Sequence, residues 1–235
     1  MKISKLLVLT TVILLSGISG GKVQAKTASA DLETKAADYY IIEEASKDKA
    51  GEVSAKLQNE LEEVEIPETV IIDKKEYMVT EVTGLCYPDT IDASLKQDTY
   101  KCKKNKVTTK IVLPKTIEKI GKGTFTNFSK LREIVIAEEN PKFKSENGAV
   151  LSKSGKTLYG TITIKNTYRV PNGVVKISSR AFAYSSVKKV ILPKTCKKIQ
   201  ERAFYRCKNL RSVKNLKKVK KIGSGAFYKT KIKNV

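Results

Sequence analysis

The sequence predicts a repeat solenoid built mainly from short parallel β-strands and turns, with little helix. The first observation is that residues 190–204, VILPKTCKKIQERAF, can be laid over four other stretches of the chain. The second is that corresponding turn positions lie 23, 34, 22 and 23 residues apart, a period typical of stacked repeats rather than of one globular core. The third is an alternation of apolar and polar residues before each turn, which indicates a short, half-buried strand.

Each of the five repeats opens with such a strand and ends it at a turn. Before Pro193, for example, Val190 and Leu192 are apolar whereas Lys189 is charged. Proline cannot donate a ladder hydrogen bond, so it ends a strand and turns the chain. From the first repeat to the fifth, the turn positions are Pro114, Ala137, Pro171, Pro193 and Leu216.

A large apolar residue follows each turn position by six residues, and in four repeats a phenylalanine follows five residues later. One such coil cannot bury its apolar face alone, so neighbouring coils must stack. We therefore expect a continuous core along the solenoid. The side chains expected to be buried are Phe125, Ile177, Phe182, Ile199, Phe204, Ile222 and Phe227.

The second repeat carries extra residues, which account for the spacing of 34. Between about 147 and 165, the pairs Asn147-Gly148 and Ser154-Gly155 frame two short apolar stretches. This pattern predicts an added β-hairpin. We interpret the hairpin as a flap on the side of the solenoid.

The segment at residues 26–63 precedes the solenoid, which we place at residues 64–235. Its first residues are rich in Thr, Ala and Ser and predict disorder, whereas residues 38–43 and 52–56 predict a pair of strands. An acidic hairpin there would form an N-terminal β cap on the first coil, as terminal repeats require. At the other end, residues 231–235 fall on the next expected strand, so we also expect an open basic edge through which chains could self-associate.

With these motifs in place, the chain resembles the BspA-like leucine-rich repeat family of bacteria. The resemblance lies in residues 111–121 (IVLPKTIEKIG), 140–143 (NPKF) and 222–227 (IGSGAF), with residues 64–70 and 77–82 resembling an opening unit. It covers the chain from about residue 64 to the C-terminus. It implies a curved right-handed solenoid, export, and binding to proteins or surfaces rather than catalysis, and it names no partner.

The first 25 residues predict the compartment. Lys2 and Lys5 precede an apolar run from residue 6 to residue 15, and Val23-Gln24-Ala25 follows after small residues. This order is typical of a secretory signal peptide, which we expect to be cleaved after Ala25. No segment approaches the ~18 apolar residues of a membrane helix, so we expect the protein to be secreted or attached to the bacterial cell surface without a covalent link.

Charge is the second strong signal in the sequence. Residues 26–98 hold 8 basic and 18 acidic side chains, whereas residues 99–235 hold 35 basic and 6 acidic ones. Such an asymmetry suggests an anionic partner for the basic part, because self-repulsion otherwise only destabilises the compact state. Nucleic acid would bind this charge only non-specifically.

Lysine recurs at the position five residues after every turn position, and we predict that these lysines form a row across the stacked coils. The row would bind an anionic polysaccharide or teichoic acid, or it would merely be a solvated face that discourages aggregation. Its members are Lys119, Lys142, Lys176, Lys198 and Lys221.

A second basic row is predicted on the outward strand positions, where it is mixed with Val112 and Ile191. Apolar and basic groups together suit a binding surface for a protein partner, such as a host matrix protein. The members of this row are Lys110, Arg169, Lys189, Lys214 and Lys233. Tyr184, Tyr205 and Tyr228 follow the phenylalanines and either pack against the next coil or stack on a ligand.

Catalysis is not expected. The chain contains no histidine, which removes His-based acid–base catalysis and His-ligated zinc, and we predict no cofactor. The four cysteines have no C-x-x-C spacing, which disfavours a structural zinc site. Local disulfides would join Cys86 to Cys102 and Cys196 to Cys207, but we favour free, buried thiols.

Overall fold

The computed structural model describes residues 40–44, 52–57, 61–72, 75–84 and 104–233. The expected cleavage site at Ala25, Cys86 and Cys102 lie outside these residues. In the described residues the strands are β1 (Tyr40–Glu44), β2 (Glu52–Leu57), β3 (Glu63–Glu65), β4 (Thr69–Ile72), β5 (Lys75–Gly84), β6 (Lys110–Leu113), β7 (Lys119–Ile120), β8 (Glu133–Ile136), β9 (Phe143–Glu146), β10 (Ala149–Ser152), β11 (Thr157–Thr161), β12 (Thr167–Arg169), β13 (Lys176–Ile177), β14 (Lys189–Ile191), β15 (Lys198–Ile199), β16 (Ser212–Lys214) and β17 (Lys221–Ile222).

The predicted solenoid of short strands is confirmed, and within the described part of the chain Leu216–Lys218, a 3-10 turn, is the one helical segment. The strands before the turns pair in parallel as β3-β6-β8 and as β12-β14-β16. The predicted alternation of buried and half-buried residues is confirmed in β6, where Ile111 and Leu113 are fully buried and their neighbours are half-buried. A second ladder of two-residue strands joins β13, β15 and β17.

The turns carry the aromatic core of the solenoid. The ring of Phe204 stacks between Phe182 and Phe227, with centroid distances of 4.7 and 5.2 Å. Backbone bonds tie the same turns together, because Phe182 N–H donates to Ala203 O and Phe204 N–H donates to Ala226 O, both at 2.8 Å.

Most of the predicted core is confirmed, but its last coil is not. Phe125, Ile177, Phe182, Ile199 and Phe204 are buried, as expected. The prediction for Ile222 is wrong, since this side chain is 39% exposed, and Phe227 is only partly buried. The reason is that no described residue packs over the outer side of β17.

The inserted hairpin is part of the sheet, so its interpretation as a side flap is wrong. β10 pairs antiparallel with β9 and β11, and β11 pairs in parallel with β13. The two faces of β10 contact different cores, because Val150 belongs to one apolar cluster whereas Ala149 and Leu151 belong to the other. A hairpin that is apolar on both faces is not stable in water as a flap, so it becomes a wall between two cores.

This arrangement divides the described residues into three parts. We call the described residues up to Ile136 the N-terminal block, strands β9 to β11 the partition, and residues 167–233 the C-terminal block. No strand pairing joins β8 to β12 in the described residues, so the ladder before the turns is interrupted where the partition lies.

The first strands extend the N-terminal block at its outer edge. β1 and β2 pair antiparallel over their full lengths. β2 then pairs in parallel with β5, which in turn pairs with β7. Ala55 and Leu57 of β2 are buried in the core of this block.

Candidate binding surface

Three of the lysines predicted to form a row lie side by side in the C-terminal block. β13, β15 and β17 pair in parallel so that Lys176 faces Lys198 and Lys198 faces Lys221. Each lysine precedes an isoleucine on the inner side of the coil, of which Ile177 and Ile199 are fully buried. The buried isoleucine fixes the strand, and the alternation of the strand then directs the lysine away from the core.

No acidic side chain neutralises this row in the described part of the structure. Neighbouring strands lie about 4.8 Å apart, so two ammonium groups at that spacing would repel by roughly 1 kcal/mol even in water. The surroundings add to the positive potential, because residues 147–235 contain 23 basic residues and a single acidic one, Glu201. An anionic group placed across the three lysines would relieve this repulsion.

The other two lysines of the predicted row lie elsewhere. Lys119, on β7 of the N-terminal block, faces Glu81 of β5, and its Nζ lies 2.9 Å from that carboxylate. Lys142 is exposed just before the partition, and its backbone N–H donates to the Asn140 side chain at 2.9 Å. The row of five predicted from the sequence therefore becomes three adjacent lysines, one ion-paired lysine and one separate lysine.

The basic residues predicted to form a second row on the outward strand positions also fall into separate lines. Strand register places Arg169, Ile191 and Lys214 in one line. Lys189 lies in a different line, between Thr167 and Ser212.

In the N-terminal block, Lys110 lies next to Glu133, with Nζ 3.7 Å from its carboxylate. Positive charge on the strand face of the N-terminal block thus alternates with carboxylates. In the C-terminal block it alternates with hydroxyl and apolar side chains.

The tyrosines after the phenylalanines pack mainly on one another. Tyr205 is buried and stacks on Tyr228 with centroids 5.4 Å apart, whereas Tyr184 meets it edge to face at 5.8 Å. The guanidinium of Arg206 lies over the ring of Tyr205 at 5.5 Å. This packing accounts for Tyr184 and Tyr205, while Tyr228 keeps 43% of its surface exposed.

Cys196 and Cys207 are free and buried, which confirms the predicted thiols and rules out a disulfide between them in this structure. Burial raises the pKa of both thiols, that of Cys207 to about 12. The Cys207 thiol also donates a hydrogen bond to Phe182 O at 2.9 Å. Both groups are therefore core elements rather than reactive nucleophiles.

The described residues contain no group of His, Cys, Asp and Glu side chains that could hold a metal ion. A separate survey of the same residues for helices that are long and apolar enough to cross a membrane finds none.

Comparison with protein families matches the chain to the BspA type leucine rich repeat region, in six copies over residues 56–148 and 151–235. This is one copy more than the five aligned above. No curated protein matches the chain significantly.

Several solved structures of bacterial repeat proteins are similar in fold. A leucine-rich repeat protein from Eubacterium ventriosum shares 16% identity over 82% of this chain and 70% of its own, with a TM-score of 0.46. The T. pallidum leucine rich repeat protein shares 19% identity over 89% of this chain and 92% of its own, with a TM-score of 0.41. A leucine rich cell surface protein from Faecalibacterium prausnitzii shares 15% identity over 83% of this chain and 80% of its own, also with a TM-score of 0.41.

Proposed function

Since the chain belongs to the BspA-type leucine-rich repeat family, we propose that it is an exported, non-enzymatic binding module of the bacterial surface or secretome. The family provides a repeat scaffold for interactions. In this proposal the C-terminal block binds anionic polymers, such as teichoic acid or sulfated and sialylated glycans.

One observation carries the choice of ligand. Lys176, Lys198 and Lys221 stand in register on adjacent strands with no carboxylate partner among the described residues. A solvated surface needs only mixed charge, and Lys119 at the equivalent position meets that need with Glu81. A polymer with repeated negative charges matches a row of repeated positive charges, and it offsets a repulsion that would otherwise remain.

The direct experiment measures binding of heparin and of lipoteichoic acid to the protein at low and high salt. We expect affinity to fall steeply as salt rises, because exposed charges are screened within about 8 Å at physiological ionic strength. Replacing Lys176, Lys198 and Lys221 together by Glu should weaken binding by about tenfold or more.

A matched control separates the row from net charge. Lys106, Lys122 and Lys130 are exposed in the N-terminal block, and replacing these three by Glu changes the net charge by the same amount. We expect this control to retain most of the affinity. Equal losses in the two triple variants would mean that only net charge matters, and the row would then not be the site.

A protein partner is the second candidate function, and it uses the other face of the coil. Arg169, Ile191 and Lys214 form a mixed basic and apolar line on β12, β14 and β16, which suits a protein surface such as that of a host matrix protein. Binding of that kind should depend less on salt and should be lost on Ile191→Asp, which leaves the lysine row intact.

Self-association through the edge at β17 is a third candidate. It is favoured by the exposure of Ile222 and Tyr228 on that coil. Light scattering over a range of protein concentrations tests it, and Ile222→Lys should then reduce the apparent mass.

A further inference from the structure

The lysine row of the C-terminal block has further lysines directly beside it. In the fourth repeat, Lys197 and Lys198 lie between two buried residues, Cys196 and Ile199. Both lysines are therefore on the outside of the coil, whereas strict strand alternation would direct only one of them outward. The position before each member of the lysine row thus also belongs to the surface.

Backbone hydrogen bonds stack this position from one coil to the next. Val175 O accepts from the N–H groups of Lys197 and Lys198, at 2.9 and 3.1 Å. Lys197 O accepts in the same way from the N–H groups of Lys220 and Lys221, at 2.9 and 3.1 Å. One carbonyl oxygen therefore fixes two consecutive outward residues of the next coil.

The same pattern continues to the partition, at the residue just before β11. Lys156 O accepts from Val175 N–H at 2.8 Å and from Lys176 N–H at 3.0 Å. Three lysines and one valine consequently stand in line beside the lysine row, and all four residues are exposed. We call the three lysines of this second line the flanking line; they are Lys156, Lys197 and Lys220.

The lysine row and the flanking line together form a dense strip of positive charge. Strands β11, β13, β15 and β17 span about 14 Å at the usual strand spacing, and six lysines lie along that length. Within the described residues, no lysine of the flanking line forms an ion pair with a carboxylate. Lys197 Nζ donates to Lys194 O at 3.3 Å, which leaves two N–H groups of that ammonium for a ligand. Glu201, the one acidic residue of the C-terminal block, lies 3.6 Å from Arg202 Nε instead.

The N-terminal block has a different charge arrangement at the same two positions. Glu118 and Lys119 lie between the buried residues Ile117 and Ile120, so a carboxylate stands where the flanking line has a lysine. The neighbouring strand β5 adds Glu81, whose carboxylate lies 2.9 Å from Lys119 Nζ. The strip of positive charge is therefore a property of the C-terminal block and not of the repeat itself.

Uncharged polar residues border the lysine row on its other side. The residues that follow the buried isoleucines of β13 and β15 are Ser178 and Gln200, both half-buried. They are stacked like the lysines, since Ser178 N–H donates to Leu158 O at 2.8 Å and Gln200 N–H donates to Ile177 O at 3.0 Å. A hydroxyl and an amide can both donate to and accept from sugar hydroxyl groups, whereas an ionised phosphate chain offers acceptors alone. The surface thus combines dense positive charge with partners for hydroxyl groups.

We propose that the binding surface is two lysines wide and selects a sulfated polysaccharide that runs across β13, β15 and β17, an inference that rests on the anionic-polymer function proposed above. Closely spaced sulfates accept from the paired lysines of successive coils, and ring hydroxyls meet Ser178 and Gln200. A polysaccharide with a single carboxylate per disaccharide leaves most of the six lysines without a partner and binds weakly.

The first test is a calorimetric titration with polysaccharides of increasing charge. Hyaluronan carries a single carboxylate per disaccharide, chondroitin sulfate adds a sulfate, and heparin adds several. We expect affinity to rise through this series, with heparin binding about a hundredfold or more tighter than hyaluronan at the same salt concentration. Equal affinity for heparin and hyaluronan would overturn the selection by charge density. Tighter binding of lipoteichoic acid or of inorganic polyphosphate than of heparin would overturn the choice of a sulfated sugar.

The second test removes charge from the flanking line alone. Lys197→Gln combined with Lys220→Gln should weaken heparin binding by about tenfold, and it should reduce the slope of log affinity against log salt by roughly two, one for each lost ionic contact. The matched control combines Lys188→Gln with Lys208→Gln, which changes two exposed lysines of the same block outside β13, β15 and β17. We expect the control to keep the slope and most of the affinity.

The two proposals fail in different ways. Equal changes of affinity and slope in the flanking variant and its control would remove the flanking line from the site. If the triple reversal of Lys176, Lys198 and Lys221 still abolishes heparin binding in that case, the function proposed for the lysine row stands and the two-lysine width is refuted. If the triple reversal and its own control lose heparin equally, the function proposed for the row fails, and this inference fails with it.

Discussion

The N-terminal and C-terminal blocks place the same residue type at the same repeat position with opposite electrostatic results. Lys119 lies 2.9 Å from the Glu81 carboxylate, whereas Lys198 lies between two other lysines on adjacent strands. The fold is the same in both places, since a buried isoleucine follows each lysine. The backbone therefore sets only where the lysine is, and the neighbouring coil decides whether it stabilises the fold or is available to a ligand.

The two blocks also differ in how their cores are built. In the C-terminal block, Phe204 lies fully buried between two stacked rings. In the N-terminal block, the Phe125 ring packs instead against Gly160 of the partition. The contact is so close that a Cβ atom added at Gly160 would lie 2.6 Å from the ring. Stability in one block depends on an aromatic column and in the other on close contact with the inserted strand.

The largest effect is expected from truncation in the aromatic column. Phe204→Ala should lower the free energy of unfolding by about 3–5 kcal/mol through the cavity it leaves. Phe125→Ala should cost about 1 kcal/mol less, since it loses no stacked pair. Urea denaturation measures both, and an equal loss for the two variants would contradict the difference between the cores.

The next effect tests the contact between the partition and the N-terminal block. Gly160→Ala should cost about 1–3 kcal/mol, because the new methyl group must displace the Phe125 ring. Combining it with Phe125→Leu should recover part of that loss, and a double-mutant cycle in urea measures the coupling. Strictly additive losses would show that the ring and the glycine do not constrain each other.

A smaller effect concerns the buried thiol of the C-terminal block. Burial raises the pKa of Cys207 from 9.0 to about 12, so its contribution to stability is complete below pH 9 and is lost as pH rises toward 12. In a background with Cys86 and Cys102 replaced by Ser, the free energy of unfolding should fall by about 1 kcal/mol more between pH 9 and pH 10 than in the same protein with Cys207→Val. Parallel pH profiles of the two proteins would contradict the burial of this thiol.

How much of this could be foreseen from the sequence depends on the distance between interacting residues. The burial of Phe182, Phe204 and Ile199 follows from the repeat alone, because the period brings each residue next to its equivalent. The exposure of Ile222 does not follow from the repeat, since an inner position is buried only when another coil covers it.

Longer-range features were beyond the repeat pattern. The pairing of Lys119 with Glu81 joins residues that lie 38 positions apart. Glu81 lies on the long strand β5, which precedes the five aligned repeats, so no periodicity connects the two residues. Likewise, the two-sided apolar character of β10 was visible in Ala149, Val150 and Leu151, but the interpretation as a flap treated the insertion as separate from the stack.

The smallest change in stability is also the most direct test of the contrast between the blocks. We compare Lys119→Glu with Lys198→Glu by thermal unfolding at low and high salt, and by heparin binding. Lys119→Glu should destabilise the protein by about 0.5 kcal/mol, because it places a second carboxylate beside Glu81, whereas Lys198→Glu should stabilise it by a similar amount. Both shifts should shrink at high salt.

Heparin affinity should fall with Lys198→Glu and remain nearly unchanged with Lys119→Glu. Shifts of the same sign in the two variants, together with equal effects on heparin affinity, would contradict the claim that one block neutralises its lysines and the other leaves them for a ligand.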